Sequence, residues 1–204
     1  MHTITINAEI TQQLQEVALS RYLESRKHAA DFENSFMAAG LPKHHHDFLG
    51  VVGEYAFAHF LNSTAPMPVS YEGLTFAAIL KNKFIPDFIF KNGRINLSID
   101  IKTTDKFTNK LVITPEYVAA TINRVYVLCV AEMIQDITIA HISGYYSPKM
   151  IQDNKNDHDH IFYSLTDSMR PTWNIKQSRL KPIEIIKMFI EKFDLKEQSI
   201  LQTK

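Results

Sequence analysis

Two runs and the turn between them decide how this chain folds: Phe84-Ile85-Pro86-Asp87-Phe88-Ile89-Phe90, then Lys91-Asn92-Gly93, then Ile95-Asn96-Leu97-Ser98-Ile99-Asp100-Ile101-Lys102-Thr103. Both runs are rich in β-branched and aromatic residues, and the second alternates strongly. An Asn-Gly pair between such runs is a hairpin signal. Residues two apart on a strand point the same way, so Asp100 and Lys102 share one face while Ile99 and Ile101 face the opposite layer. A hairpin turning at Asn92-Gly93 brings Asp87 back beside Asp100. Two carboxylates and an ammonium then converge at one place.

Working outward, Leu111-Val112-Ile113 is a further short strand, and Thr114-Pro115 opens a short helix to about Asn123, with Thr as cap and Pro at its first position. Arg124 to Ala131 is almost wholly apolar, as expected of a strand buried on both faces. Ile137 to Ile142 alternates and ends at Gly144. Upstream, Ala8 to Ala39 favours helix, with Leu14, Val17, Ala18 and Tyr22 near helical spacing, and Gly40-Leu41-Pro42 closes it. A second helix is predicted from Asp47, as N-cap, to Leu61, with the stripe Leu49, Val52, Phe57, Phe60 and Leu61. Residues 147–159 read as a short helix and polar loop, and Ile183, Ile186, Phe189, Ile190 and Phe193 mark a last amphipathic helix. The expected class is α/β: a mixed central sheet flanked by helices, in one domain over residues 1–204. Residues 1–40 form an N-terminal helical extension, 47–145 the core, and 146–204 a C-terminal loop and helix.

The composition bounds the function classes. A chain of 204 residues with 45% hydrophobic content can bury a sizeable core, and its 13 Phe and 8 Tyr argue against disorder. Its 22 basic and 22 acidic side chains balance, so any contact with a polyanion must be a local patch. The one cysteine, Cys129, sits in an apolar run and reads as a buried small hydrophobe rather than a nucleophile. Met1 to Asn7 lacks the pattern of a signal peptide, and no apolar run reaches membrane-spanning length, so the expectation is a cytoplasmic protein without membrane contact.

Two anions held close repel unless something positive lies between them. Mg²⁺ suits that role because it prefers carboxylate and water oxygens, and the carbonyl of Ile101 can add another. Lys102 is placed to hold or deprotonate an attacking water and to stabilise charge on a phosphate, which are the parts metal-assisted phosphodiester hydrolysis needs. A third carboxylate, Glu54, lies on the second helix in Gly50-Val51-Val52-Gly53-Glu54-Tyr55-Ala56-Phe57, sharing a face with Gly50, Phe57 and Leu61. Burying it unpaired is costly, so it needs a cation or a metal-bound water. Gly50 and Gly53 are expected to let this helix approach the sheet closely.

On these residues the chain resembles the PD-(D/E)XK nuclease superfamily, whose fold is restriction-endonuclease-like. Pro86-Asp87 and Asp100-Ile101-Lys102 match its motif, and Glu54 matches the acidic residue often carried by its first core helix. The likeness runs from about Asp47 to Tyr145, including a glycine-aromatic turn over Ile139–Tyr145. Asp-x-Lys alone is a weak signal, and the ordered set of acidic helix, Pro-Asp strand, hairpin, Asp-x-Lys strand and following α/β unit is stronger.

The resemblance implies a nuclease using Mg²⁺ or Mn²⁺, with DNA as substrate more than RNA. Asp87, Asp100 and the Ile101 carbonyl would be metal ligands, Glu54 an additional or water-mediated one, and Lys102 the catalytic lysine. Lys81, Lys83, Arg94, Lys106 and Lys110 flank the motif as phosphate contacts. A downstream polar helper could be Thr103, Thr104 or Lys106. A homodimer suits cutting both strands of a duplex. The alternative is an inactive nuclease-fold domain that binds nucleic acid or a protein partner, and a hydrolase of small phosphate esters is disfavoured because no Gly-rich phosphate loop is present. His44-His45-His46 reads as a solvated loop, Asp157-His158-Asp159-His160 as a polar loop, and Trp173 as a packing residue.

Overall fold

A computed structural model describes residues 1–26, 44–62, 67, 68, 70, 72, 86–92, 95–105, 110–113, 124–154, 156, 161–165 and 171–191. Thr3-Ile4-Thr5-Ile6 alternates, and strand β1 (His2–Ile6) buries Ile4 and Ile6. Asn7 then turns the chain into helix α1 (Ala8–Arg26): its side-chain oxygen accepts from the Ile10 N–H at 2.9 Å and its carbonyl from the Thr11 N–H at 2.9 Å. Asparagine in that place satisfies donors that the first turn would leave orphaned.

Helix α2 (His45–Leu61) follows, then β2 (Phe88–Asn92), β3 (Ile95–Thr104), β4 (Lys110–Ile113), β5 (Arg124–Ile134) and β6 (Ile137–Tyr146). Helix α3 (Pro148–Asn154), β7 (Ile161–Leu165), β8 (Pro171–Lys176), a 3₁₀ turn (Gln177–Arg179) and helix α4 (Ile183–Glu191) complete the order. The expected helix over 114–123, the Asp157–His160 tract and the turn residues Gly93 and Arg94 lie outside the described residues.

The protein is α/β. One sheet has five strands in the order β1-β6-β5-β3-β2, and a second has three in the order β4-β8-β7. The five-stranded sheet is mixed, because β2 and β3 pair antiparallel while β3 and β5 pair parallel. The two-residue link Gln135–Asp136 between β5 and β6 allows only a hairpin. Gln135 there takes a left-handed φ of 56°.

The chain divides into two compact units, one of residues 1–3, 86–130 and 141–204, the other of residues 4–85 and 131–140. In the first, β5 carries one wall of the core. Tyr126, Leu128 and Val130 pack with Leu111 and Ile113 of β4, Tyr146 of β6, Ile151 of α3 and Ile175 of β8. Trp173 packs against the same cluster, in keeping with a packing role. Successive β5 residues from Arg124 to Ala131 are all buried, matching the reading of a strand covered on both faces. Cys129 is fully buried, and burial pushes its thiol up to about 12, far from a reactive thiolate.

In the second unit, α1 buries Leu14 and Ala18, and α2 buries Phe48, Leu49, Val51, Val52, Ala56, Phe57 and Phe60. The helix begins two residues before the expected start. His44 is its N-cap, without a side-chain hydrogen bond, and Asp47 lies in the first turn instead of capping it. There its carboxylate meets the positive end of the helix dipole. His45 and His46 are consequently helical rather than loop residues, and the His44 ring stands edge-on to Tyr22 with centroids 6.4 Å apart. Gly50 does not serve a close approach: a Cβ there would have nothing within 4 Å.

Strand β6 runs past Gly144 to Tyr146, contrary to the expected stop. Gly144 has a φ of +155°, and a Cβ on it would lie 2.5 Å from the Lys181 carbonyl oxygen and 2.8 Å from Leu180 Cβ. Tyr145 and Lys181 exchange backbone hydrogen bonds of 2.9 and 3.0 Å beside it. The glycine is required because the segment before α4 lies directly against β6.

Candidate active site

The β2–β3 hairpin fixes the site. Its register pairs Phe88 with Ile99, Phe90 with Leu97 and Asn92 with Ile95. Asn92 thus closes the ladder as a strand residue, one place later than the expected turn. Carried one residue beyond Phe88, the register sets Asp87 opposite Asp100. Carried two, it sets Pro86 opposite Ile101.

Proline has no N–H to give, so the Ile101 carbonyl receives no ladder bond from Pro86. The Ile101 N–H, which points to the same edge, is taken instead by Asp87 Oδ2 at 2.6 Å. The Asp87 N–H in turn donates to the Asp100 carboxylate. Proline followed by aspartate therefore sets where β2 begins, while the acid side chain continues the hydrogen bonding outward from it. This gives the Pro-Asp pair a local physical reason.

The two acids meet under different conditions. Asp87 is exposed, whereas Asp100 has a side chain only 7% exposed. Burial pushes the Asp100 carboxyl above the usual carboxylate range, against the opposing influence of Lys102, Arg124 and the Asp87 N–H. Strand β5 supplies the principal neighbour. Ser98, Asp100 and Lys102 pair in parallel register with Arg124, Tyr126 and Leu128, placing these six on one face of the sheet. Ile99 and Ile101 point to the other face, as the alternation predicts.

Arg124, with a side chain only 6% exposed, brings Nη1 to 3.1 Å from Asp100 Oδ2. That oxygen nonetheless receives no hydrogen bond among the described residues. The guanidinium approaches it as a charge but off the direction a hydrogen bond needs. Asp100 Oδ2 is thus a buried carboxylate oxygen with lone pairs uncommitted. Arg124 was not among the sequence candidates. The signal was an arginine heading an otherwise apolar strand, where a buried guanidinium demands an acid.

Lys102 is half-buried on the same face as Asp100 and close enough to influence its charge. The Thr103 hydroxyl, on the opposite face, is buried without a hydrogen-bond partner among the described residues. Lys110 heads β4, half-buried and in register with Lys176 of β8, a second basic residue that the sequence reading did not single out. Lys81, Lys83, Arg94 and Lys106 lie outside the described residues.

Glu54 belongs to the other compact unit and has its own cation. Arg21 of α1 donates to it with both terminal nitrogens, Nη1 to Oε1 at 2.6 Å and Nη2 to Oε2 at 2.8 Å. The expected need for a partner is met by this fork-to-fork pair, with side chains 11% and 21% exposed. Asp47 shares the neighbourhood. Its carboxyl is raised above its usual range by burial, opposed by Arg21, His46, His44 and its own backbone N–H.

Hard oxygen donors at register-paired positions suit a divalent cation, and Asp100 Oδ2, which accepts no hydrogen bond, is an atom such an ion would satisfy. Among the described residues, no three or more His, Cys, Asp or Glu side chains cluster as a metal site. By register Asp87 lies opposite Asp100, and further ligands to an ion held there would be backbone or water. No helix among the described residues is long and apolar enough to cross a membrane. Comparison with protein-family models, curated proteins and solved structures finds no match for this chain.

Proposed function

We propose that this chain is a Mg²⁺- or Mn²⁺-dependent nuclease with a restriction-endonuclease-like core, acting on DNA. One observation carries the reading: Asp87 locks onto the backbone of Ile101 beside Asp100, with Lys102 on the same face as Asp100. Acid, acid and lysine on two adjoining strand segments are the minimum set for metal-assisted phosphodiester hydrolysis. The bound ion would polarise the phosphate and lower the pKa of water.

The protein side chains do the remainder. Asp87 and Asp100 present oxygens to the ion, and the Ile101 carbonyl, facing Pro86, is a third donor. Lys102 orients the attacking water and offsets charge on the phosphate oxygens. Lys110 provides a phosphate contact. Glu54, the additional or water-mediated ligand that the family resemblance implies, is engaged by Arg21 in its own unit. A homodimer would set two such sites on one duplex.

The test is incubation with labelled single-stranded, double-stranded and branched DNA, and with RNA, in Mg²⁺ or Mn²⁺. Cleavage is expected on DNA, abolished by EDTA and reduced at least about 10²-fold by Asp100→Ala or Lys102→Ala. Activity that survives EDTA or either substitution rules out the mechanism.

A specific observation favours a second reading. Asp100 faces the Arg124 guanidinium and Glu54 binds Arg21, so internal cations stand where an active centre would use metal. A nucleic-acid- or protein-binding descendant of the fold would keep such pairs and show DNA binding without cleavage in the same assay.

A further inference from the structure

The nuclease reading gives Arg124 no part. It heads β5, is nearly as buried as the core around it, and lies 3.1 Å from an Asp100 oxygen that accepts no hydrogen bond from it. Arg21, by contrast, forks onto Glu54 with contacts of 2.6 and 2.8 Å. The Arg124 approach neutralises Asp100 but leaves the oxygen's lone pairs unused. That is the arrangement expected of a counter-charge holding a place for something else.

We propose that Arg124 is an internal counter-cation that competes with a divalent ion for Asp100, keeping ion affinity at the Asp87–Asp100 pair low. The proposal rests on the metal reading of that pair, and it assigns Arg124 a positioning role that acts through Asp100. Without an ion, Arg124 joins Lys102 and the Asp87 N–H in offsetting the buried Asp100 carboxylate. With an ion, Arg124 is a further positive group beside Lys102 and the ion at one carboxylate, and its repulsion opposes binding. Either Arg124 swings away or the ion is held weakly. In both cases affinity is set by a residue that need not touch the ion.

The test measures Mn²⁺ affinity directly, by calorimetric titration at pH 8 in the full-length chain, together with the Mn²⁺-induced rise in thermal midpoint. Arg124→Gln is expected to bind Mn²⁺ roughly tenfold or more tightly than wild type, because one nearby positive charge is gone. Its thermal midpoint should rise more on adding Mn²⁺, since an ion that binds only the folded state stabilises it. Arg124→Lys, which keeps the charge, should stay near wild type. Asp100→Asn combined with Arg124→Gln should lose the gain.

Equal or weaker Mn²⁺ binding by Arg124→Gln overturns the proposal. Should that variant fold only with Mn²⁺ present, the ion is replacing the guanidinium, as expected. A variant that stays unfolded with and without Mn²⁺ shows a purely structural arginine and also overturns it. DNA cleavage by wild type reports separately on the nuclease reading. Cleavage without the affinity gain sinks the counter-cation alone, whereas the gain without cleavage sinks only the enzyme.

Discussion

Replacing Asp100 and Arg124 singly and together isolates the interaction on which the buried part of the site depends. Both side chains are more than nine-tenths buried and their charged atoms approach to 3.1 Å, so solvent does little to screen them. A unit-charge pair at that separation attracts by about 5 kcal/mol at an effective dielectric constant of about 20. Removing one partner strands the other charge in the interior. Asp100→Asn or Arg124→Gln alone should each cost about 3–5 kcal/mol. The double variant removes both charges, so its loss should fall short of the sum by about 2–3 kcal/mol. Urea unfolding at pH 8 in EDTA measures all four proteins free of divalent ions. Additivity within about 0.5 kcal/mol would show that the two groups do not interact in solution and refute the argument.

Gly144→Ala should destabilise by about 1–3 kcal/mol, because a Cβ has no room beside Leu180 and the Lys181 carbonyl; a thermal midpoint equal to wild type contradicts that packing. Asp47 governs a pH effect. Its folded carboxyl titrates above the ordinary value of 3.8, so the unfolded chain releases its proton first as pH rises. Stability from this group is therefore greatest below 3.8 and falls until the folded carboxyl has also ionised. Asp47→Asn should gain on wild type in urea midpoint across that window, and a difference constant from about pH 3 to about pH 7 would count against burial as the cause.

The parts of the fold legible in the sequence were those with local signals. Alternation from Ile95 to Thr103 placed Asp100 and Lys102 on one face, and the apolar run after Arg124 read correctly as a doubly covered strand. The Asn92-Gly93 signal marked the hairpin although Asn92 itself pairs with Ile95, and Asp87 came to rest against Ile101 beside Asp100 as that hairpin requires. The three-stranded sheet was not legible. Its pairing joins Lys110 to Lys176 and Leu111 to Ile175 across distant parts of the chain, and a strand opened by Pro171 gives little local indication of its partners. β1 was missed although Ile4 and Ile6 alternate, because five residues near a chain start carry little statistical weight.

The same contrast holds within the site. Asp87, Asp100 and Lys102 share a short segment whose geometry follows from strand period and turn chemistry. Arg124 reaches Asp100 only through the parallel pairing of β3 with β5, a contact that no local rule specifies. Glu54 was read correctly as needing a partner, but Arg21 lies on another helix, 33 residues earlier. Asp47 was misplaced because a helix that starts on two histidines lacks the usual cap residue to mark its first turn.

Crystals grown with Mn²⁺ and measured at the manganese absorption edge would locate the ion itself. One anomalous peak is expected within roughly 2.0–2.6 Å of a carboxylate oxygen of both Asp87 and Asp100, the range for hard divalent ions. A map with no peak there, at a Mn²⁺ concentration that supports DNA cleavage, would contradict the metal reading of that pair.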